Sequence, residues 1–172
     1  MFAPKTYTRI GGTLSPEFHT CFGPTEIGVT GDGQFSKIWA IEIREDWSVK
    51  VYRKDGATFT DISSSDFLNT VPVGSRHLTL AFDQQARPSL AYELAGTIYI
   101  RQYDSFIGQY VFRDDMVGFD PILLMDASVG LDVADSDVIV FFRSGNDVRY
   151  ALQRENFSVN NFLETLPDST YN

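Results

Sequence analysis

Three evenly spaced segments of alternating residues constrain this chain more than any other feature. Val49-Lys50-Val51-Tyr52-Arg53, Ile98-Tyr99-Ile100-Arg101-Gln102-Tyr103 and Val148-Arg149-Tyr150-Ala151-Leu152 each alternate apolar with polar or aromatic side chains, and their first residues lie 49 and 50 positions apart. A period of two places successive side chains on opposite faces of a strand, so each segment shows one face to a core. Around them the pattern repeats. Ile38 to Asp55, Ser89 to Asp104 and Val138 to Glu155 each read as a buried strand, a polar turn, an alternating strand with a basic residue, and then an acidic residue. Ahead of each pair stands another apolar strand ending in aspartate: Ile27-Gly28-Val29 before Asp32, Leu78 to Phe82 before Asp83, and Ile122 to Met125 before Asp126. Ser128 to Asp135 stretch the third copy.

Units of this size, with three or four antiparallel strands, match a propeller blade. The expected fold is therefore all-β, with three propeller-blade-like antiparallel meanders at 27–65, 77–115 and 119–166. Residues 1–26 are expected to form an N-terminal docking segment of the same β-rich domain. Three units fall short of the four to eight blades of a closed propeller, so the chain should end as an open stack or complete its packing with further copies. A single β-sandwich with accidental periodicity is the alternative.

Local signals agree with strands. Ile38-Trp39-Ala40-Ile41, Leu78 to Phe82, Pro121 to Met125 and Val138 to Phe142 are short continuous apolar runs, the pattern of strands covered on both faces. Asp32-Gly33, Asp55-Gly56, Ala95-Gly96 and Gly145-Asn146 supply residues that tolerate positive φ in tight hairpins. Two places read as helix: Ser65 to Leu68, and Ser158 to Leu166, where Val159, Phe162, Leu163 and Leu166 fall at helical spacing behind a Ser158 cap. The second segment also reads as a last strand.

Charge narrows the partners. With 14 Lys+Arg against 23 Asp+Glu the net charge is -9, the opposite of what a phosphate-binding surface needs, so neither nucleic acid nor an anionic membrane is expected. No run approaches the roughly 18 apolar residues of a membrane span, no leader pattern opens the chain, and a soluble protein made in the cytoplasm is expected. The lone Cys21 reads as a small buried hydrophobe.

Chemical motifs are sparse. His19 and His77 have no Cys or His at ligand spacing and read as surface or hydrogen-bonded residues. Leu131 to Asp137 gathers three carboxylates but lacks the glycine and final glutamate of an EF-hand loop, and reads as a solvated turn. Asp32, Asp83 and Asp126 read as turn residues accepting backbone hydrogen bonds. Glu42, Glu45, Asp46, Asp114 and Asp115 are available for glycan hydrolysis, yet Lys54 to Phe59 only approaches an aspartate box. No phosphate loop or nucleophile elbow is present. No enzyme activity, metal or cofactor is expected.

Leu80 to Glu93, Ile98 to Asp104, Asp120 to Ala127, Ser136 to Phe142 and Tyr150 to Glu155 resemble segments of virion structural proteins from tailed bacteriophages, over about residues 78 to 157. The resemblance implies blade-like β repeats in a tail or tail-tip (baseplate) protein, assembled in the host cytoplasm, docked onto other virion proteins and present as a homo-oligomer. Tyr99, Arg101, Tyr103, Arg143, Arg149 and Tyr150 are the candidate interface residues, because Tyr and Arg are favoured in interface hot spots. Alternatively Tyr99, Tyr103 and Tyr110, with Trp47 and Tyr52, would stack on a host-surface glycan in a receptor-binding module.

Overall fold

The computed structural model describes residues 17–27, 36–63, 69–83, 85–104, 109–126 and 137–166. Among them, twelve strands form three four-stranded antiparallel sheets, each a meander in which consecutive strands are neighbours. The first sheet holds β1 (Glu17–Gly23), β2 (Lys37–Ile43), β3 (Val49–Asp55) and β4 (Thr58–Asp61). The second holds β5 (Arg76–Phe82), β6 (Pro88–Leu94), β7 (Thr97–Asp104) and β8 (Gln109–Val117). The third holds β9 (Phe119–Asp126), β10 (Asp137–Ser144), β11 (Asp147–Leu152) and β12 (Asn161–Thr165).

Glycines make the reversals. Gly56, Gly96 and Gly145 sit at φ of 65°, 80° and 63° between β3 and β4, β6 and β7, and β10 and β11, a region that costs a residue without Cβ almost nothing. Asp32-Gly33 lies outside the described residues, as do Ser65 to Leu68 and the loop before Asp137. The first repeat starts earlier than the expected 27, because β1 draws residues 17–23 of the N-terminal segment into the sheet, paired along β2 from Glu17↔Ile43 to Gly23↔Lys37.

The second sheet is the middle layer. Leu78, Leu80, Phe82, Leu90 and Tyr92 form one core with Trp39, Ile41, Ile43, Val49 and Val51 of the first sheet. On the opposite face, Ala81, Ala91, Ile98 and Ile100 meet Leu123, Val138, Val140, Phe142 and Ala151 of the third. The leading strands stack in order, β1 against β5 and β5 against β9, and one hydroxyl ties them. Thr79 Oγ1 accepts the Leu123 N–H at 3.1 Å and lies 3.3 Å from His19 Nε2, while His19 Nδ1 accepts the Leu80 N–H at 3.3 Å. The Leu80 bond makes Nδ1 the acceptor, so Nε2 carries the proton and donates to Thr79.

Two expectations are corrected. Ser158 to Leu166 is not a helix: β12 pairs with β11, and the Leu166 N–H donates to Asn146 O at 2.7 Å. Ser158 Oγ donates back to Glu155 O at 2.7 Å, closing a 3-10 turn at Gln153–Glu155, instead of capping a forward helix. The open edge of β11 supplies a ladder that an isolated nine-residue helix, too short to be stable alone, does not offset. Pro121 to Met125 and Val138 to Phe142 are not covered on both faces. Ile122 and Leu124 are 40% and 51% exposed while Leu123 between them is buried, since the third sheet has no described layer beyond it.

Candidate functional site

Pairing registers sort the candidate interface residues onto different faces. Tyr99, Arg101 and Tyr103 alternate along β7 on the face turned to the first sheet, because Tyr99 pairs with Tyr92 and Arg101 with Leu90. The Tyr99 and Tyr92 rings stack at 5.4 Å and 21°, and the Arg101 guanidinium lies 5.4 Å from the Phe112 ring centre. Arg149 faces the second core beside Phe142 and bonds Asp147 Oδ2 at 3.0 Å. Arg143 and Tyr150 lie on the third sheet's outer face. The six are not one site. Among the described residues, neither Arg101 nor Arg149 finds a hydrogen-bond partner for its buried Nε.

The outer face of the third sheet forms a coherent surface. Ile122 opposes Phe141 and Phe141 opposes Tyr150, while Leu124 opposes Ile139 in the next row. The Phe141 and Tyr150 rings approach to 6.1 Å. Two largely apolar cross-strand rows are therefore turned outward, the first ending at Asn161 opposite Tyr150, with Ile139, Phe141 and Tyr150 half-buried beside the exposed Ile122 and Leu124. Their apolar runs make Ile122, Leu124, Ile139 and Phe141 read as buried residues, and of these rows only Tyr150 stands out in the sequence as a surface candidate. The signal was in the repeat itself. Val49, Ile98 and Val148 share the face that each sheet turns to the next, and Val49 and Ile98 are buried while Val148 stays half-exposed. At the other end of the stack Phe22 of β1, on the face opposite Trp39, is 70% exposed.

Ionisable groups mostly hold turns and pairs. Asp83 is fully buried at the β5–β6 turn and accepts the Arg87 N–H at 2.9 Å, the Arg87 guanidinium at 2.7 Å and the Gln153 amide at 3.1 Å. It thus performs the expected turn role, whereas Asp32 and the side chain of Asp126 lie outside the described residues. Glu42 is buried and accepts the Tyr52 hydroxyl at 2.8 Å and Arg44 Nε at 3.2 Å, so it is a bonded carboxylate within the first sheet. Asp46 accepts both the N–H and the hydroxyl of Ser48 in the turn before β3. Cys21 packs against the first core, and burial pushes its thiol up to about 12, which keeps the sulfur protonated and a poor nucleophile at neutral pH.

Two hairpin aspartates carry a pH dependence. Arg53 holds the Asp55 carboxyl below its ordinary value of 3.8, helped by Lys37, and the Thr165 hydroxyl with Arg149 does the same for Asp147. A depressed native pKa adds stability that is complete above the unfolded value and disappears as pH falls through the folded one. Melting midpoints should therefore fall as the pH drops through the ordinary carboxylate value of 3.8 and on through the lower native values, and Asp147→Asn should remove part of that fall. An unchanged pH profile in Asp55→Asn/Asp147→Asn would show that other carboxylates govern it.

No described helix is long and apolar enough to cross a membrane. No family model and no curated protein matches the chain.

Proposed function

We propose that the chain is a non-enzymatic structural subunit of a tailed-bacteriophage virion, placed in the tail or tail tip, that acts by docking its sheets onto other proteins, first of all onto further copies of itself. In this reading the three meanders are propeller blades and the stack is an open sector. The observation that carries it is the third sheet's outer face: β9 and β10 have the composition of doubly covered strands, yet on that face Ile122 and Leu124 of β9 are exposed and Ile139 and Phe141 of β10 only half-covered. Apolar rows of this kind stabilise by burial at about 25 cal/mol per Å² and mark interaction surfaces when left open. A second copy suits the face because the chain already stacks its own sheets this way twice, and the exposed Phe22 at the opposite end of the stack supplies an apolar counterpart. The virion assignment rests on the resemblance over residues 78 to 157. Tyr99 is engaged with Tyr92 inside the molecule, which counts against a glycan platform built on it.

Light scattering on the purified full chain should give the mass of two or more copies. Ile122→Asp/Leu124→Asp should give the mass of one, with an unchanged far-UV circular dichroism spectrum. A monomeric wild type would overturn self-docking, and a saturable shift with glycans in that monomer would install the receptor-binding role instead. Peptides of the chain should also be recovered from purified phage particles, and their absence would remove the virion assignment.

A further inference from the structure

We infer that His77, Glu93 and Asp120 form a binding site for a divalent transition metal, zinc being the best fit, that fastens the third sheet to the second. The three ligand atoms come from β5, β6 and β9 and lie within 4.8 Å of one another. His77 Nε2 is 3.2 Å from Asp120 Oδ1 and 4.0 Å from Glu93 Oε2. Zinc bonds to imidazole nitrogen and carboxylate oxygen are about 2.0 to 2.2 Å long, which puts neighbouring ligand atoms of a tetrahedron about 3.3 to 3.6 Å apart. The His77–Asp120 distance is close to that edge, and a small rotation of the Glu93 carboxylate brings the second distance to it.

The backbone converges on this point from two sheets. The β5–β6 register breaks between Arg76 and Thr79, where His77 takes φ of 52°, and the β9–β10 register breaks opposite Asp120, which takes φ of 54°. Bulges of this type re-aim single side chains, and here the two turn a histidine and an aspartate from separate sheets toward each other. Neighbouring contacts orient the carboxylates: the Asp120 N–H donates to Glu93 Oε2 at 3.3 Å, and Arg143 lies 3.7 Å from the other Asp120 oxygen. Imidazole nitrogen beside two carboxylate oxygens favours zinc or a similar transition ion over calcium and magnesium, which take oxygen ligands. Asp120 and His77 are open enough to solvent for an ion to enter and for water to complete its shell.

Nothing in the sequence spacing announces the site. His77, Glu93 and Asp120 are 16 and 27 positions apart and meet only because the second and third sheets stack.

Calorimetric titration of zinc ion into the tag-free full chain should give saturable binding of one ion per chain, and zinc should raise the melting midpoint by mass action. Loss of even an outer partner of a metal ligand weakens binding about 10- to 100-fold, so His77→Ala and Glu93→Gln should each weaken it at least about tenfold and abolish the thermal shift. Glu93→Gln, close to isosteric, keeps the test valid if His77→Ala fails to fold. No saturable heat would mean that the three groups only pair with one another. Undiminished zinc binding in Glu93→Gln, or equal binding of calcium, would also overturn the inference.

Discussion

Replacing Phe82 with alanine is expected to destabilise the protein by about 3 to 5 kcal/mol, the range for truncating a fully buried aromatic side chain. The ring is completely enclosed and lies 4.7 Å from the Trp39 ring, inclined at 54°. Gly23 explains how it fits. A Cβ at that position would stand 2.6 Å from Phe82 Cε2 and 2.6 Å from Trp39 Cδ1, so β1 passes over both rings only because it presents a bare backbone there. Truncation leaves a cavity between the first and second sheets that rigid ladders on either side cannot collapse into. Denaturant midpoints of Phe82→Ala and Phe82→Leu measure the effect, with the leucine variant expected to lose much less. Equal, small losses in both would show that the two sheets repack freely and that their contact is looser than the geometry indicates.

The Asp83→Ala variant should lose about 1 to 3 kcal/mol, the cost of leaving buried donors without their acceptor. Asp83 is fully enclosed, and its carboxylate bonds the Arg87 N–H, the Arg87 guanidinium and the Gln153 amide. Gln153 in turn accepts the Val138 N–H at 2.9 Å, so the chain of bonds runs from the β5–β6 turn into the third sheet. Alanine would take the acceptor from the Arg87 N–H and the Gln153 amide, while the one-third exposed Arg87 guanidinium turns to water. Asn retains the shape and one acceptor oxygen but no charge, and should recover part of the loss. Hydrogen exchange adds a spatial readout: the Val138 and Arg87 amides should lose protection ahead of the first sheet. If Asp83→Ala melts like the wild type, the bonds are replaced by water and the turn does not couple the sheets.

These two residues sit on consecutive positions of one strand end and act on opposite neighbours. Phe82 faces the first sheet, while Asp83 reaches the third through Gln153. The middle sheet is therefore where damage to either interface should be felt most.

Much of the architecture was legible in the sequence because it depends on short-range causes. Alternation at Val49, Ile98 and Val148 and the glycine turns after Asp55, Ala95 and Ser144 determined where strands run and reverse, since side-chain period and positive φ are properties of a few adjacent residues. The repeat of about 50 residues likewise determined that three similar meanders follow one another. Tertiary structure decided everything that depends on which surfaces meet. The same apolar composition is buried twice in β5 and once in β9, because β5 has a sheet on each side and β9 has one. Helical spacing in Ser158 to Leu166 yielded to the free edge of β11. His77, Glu93 and Asp120, remote in the chain and unremarkable in their local patterns, were brought together by two bulges and the stacking of two sheets. Local torsional preference acts within a few residues, whereas burial and ligand geometry are set by chain segments that find each other only on folding.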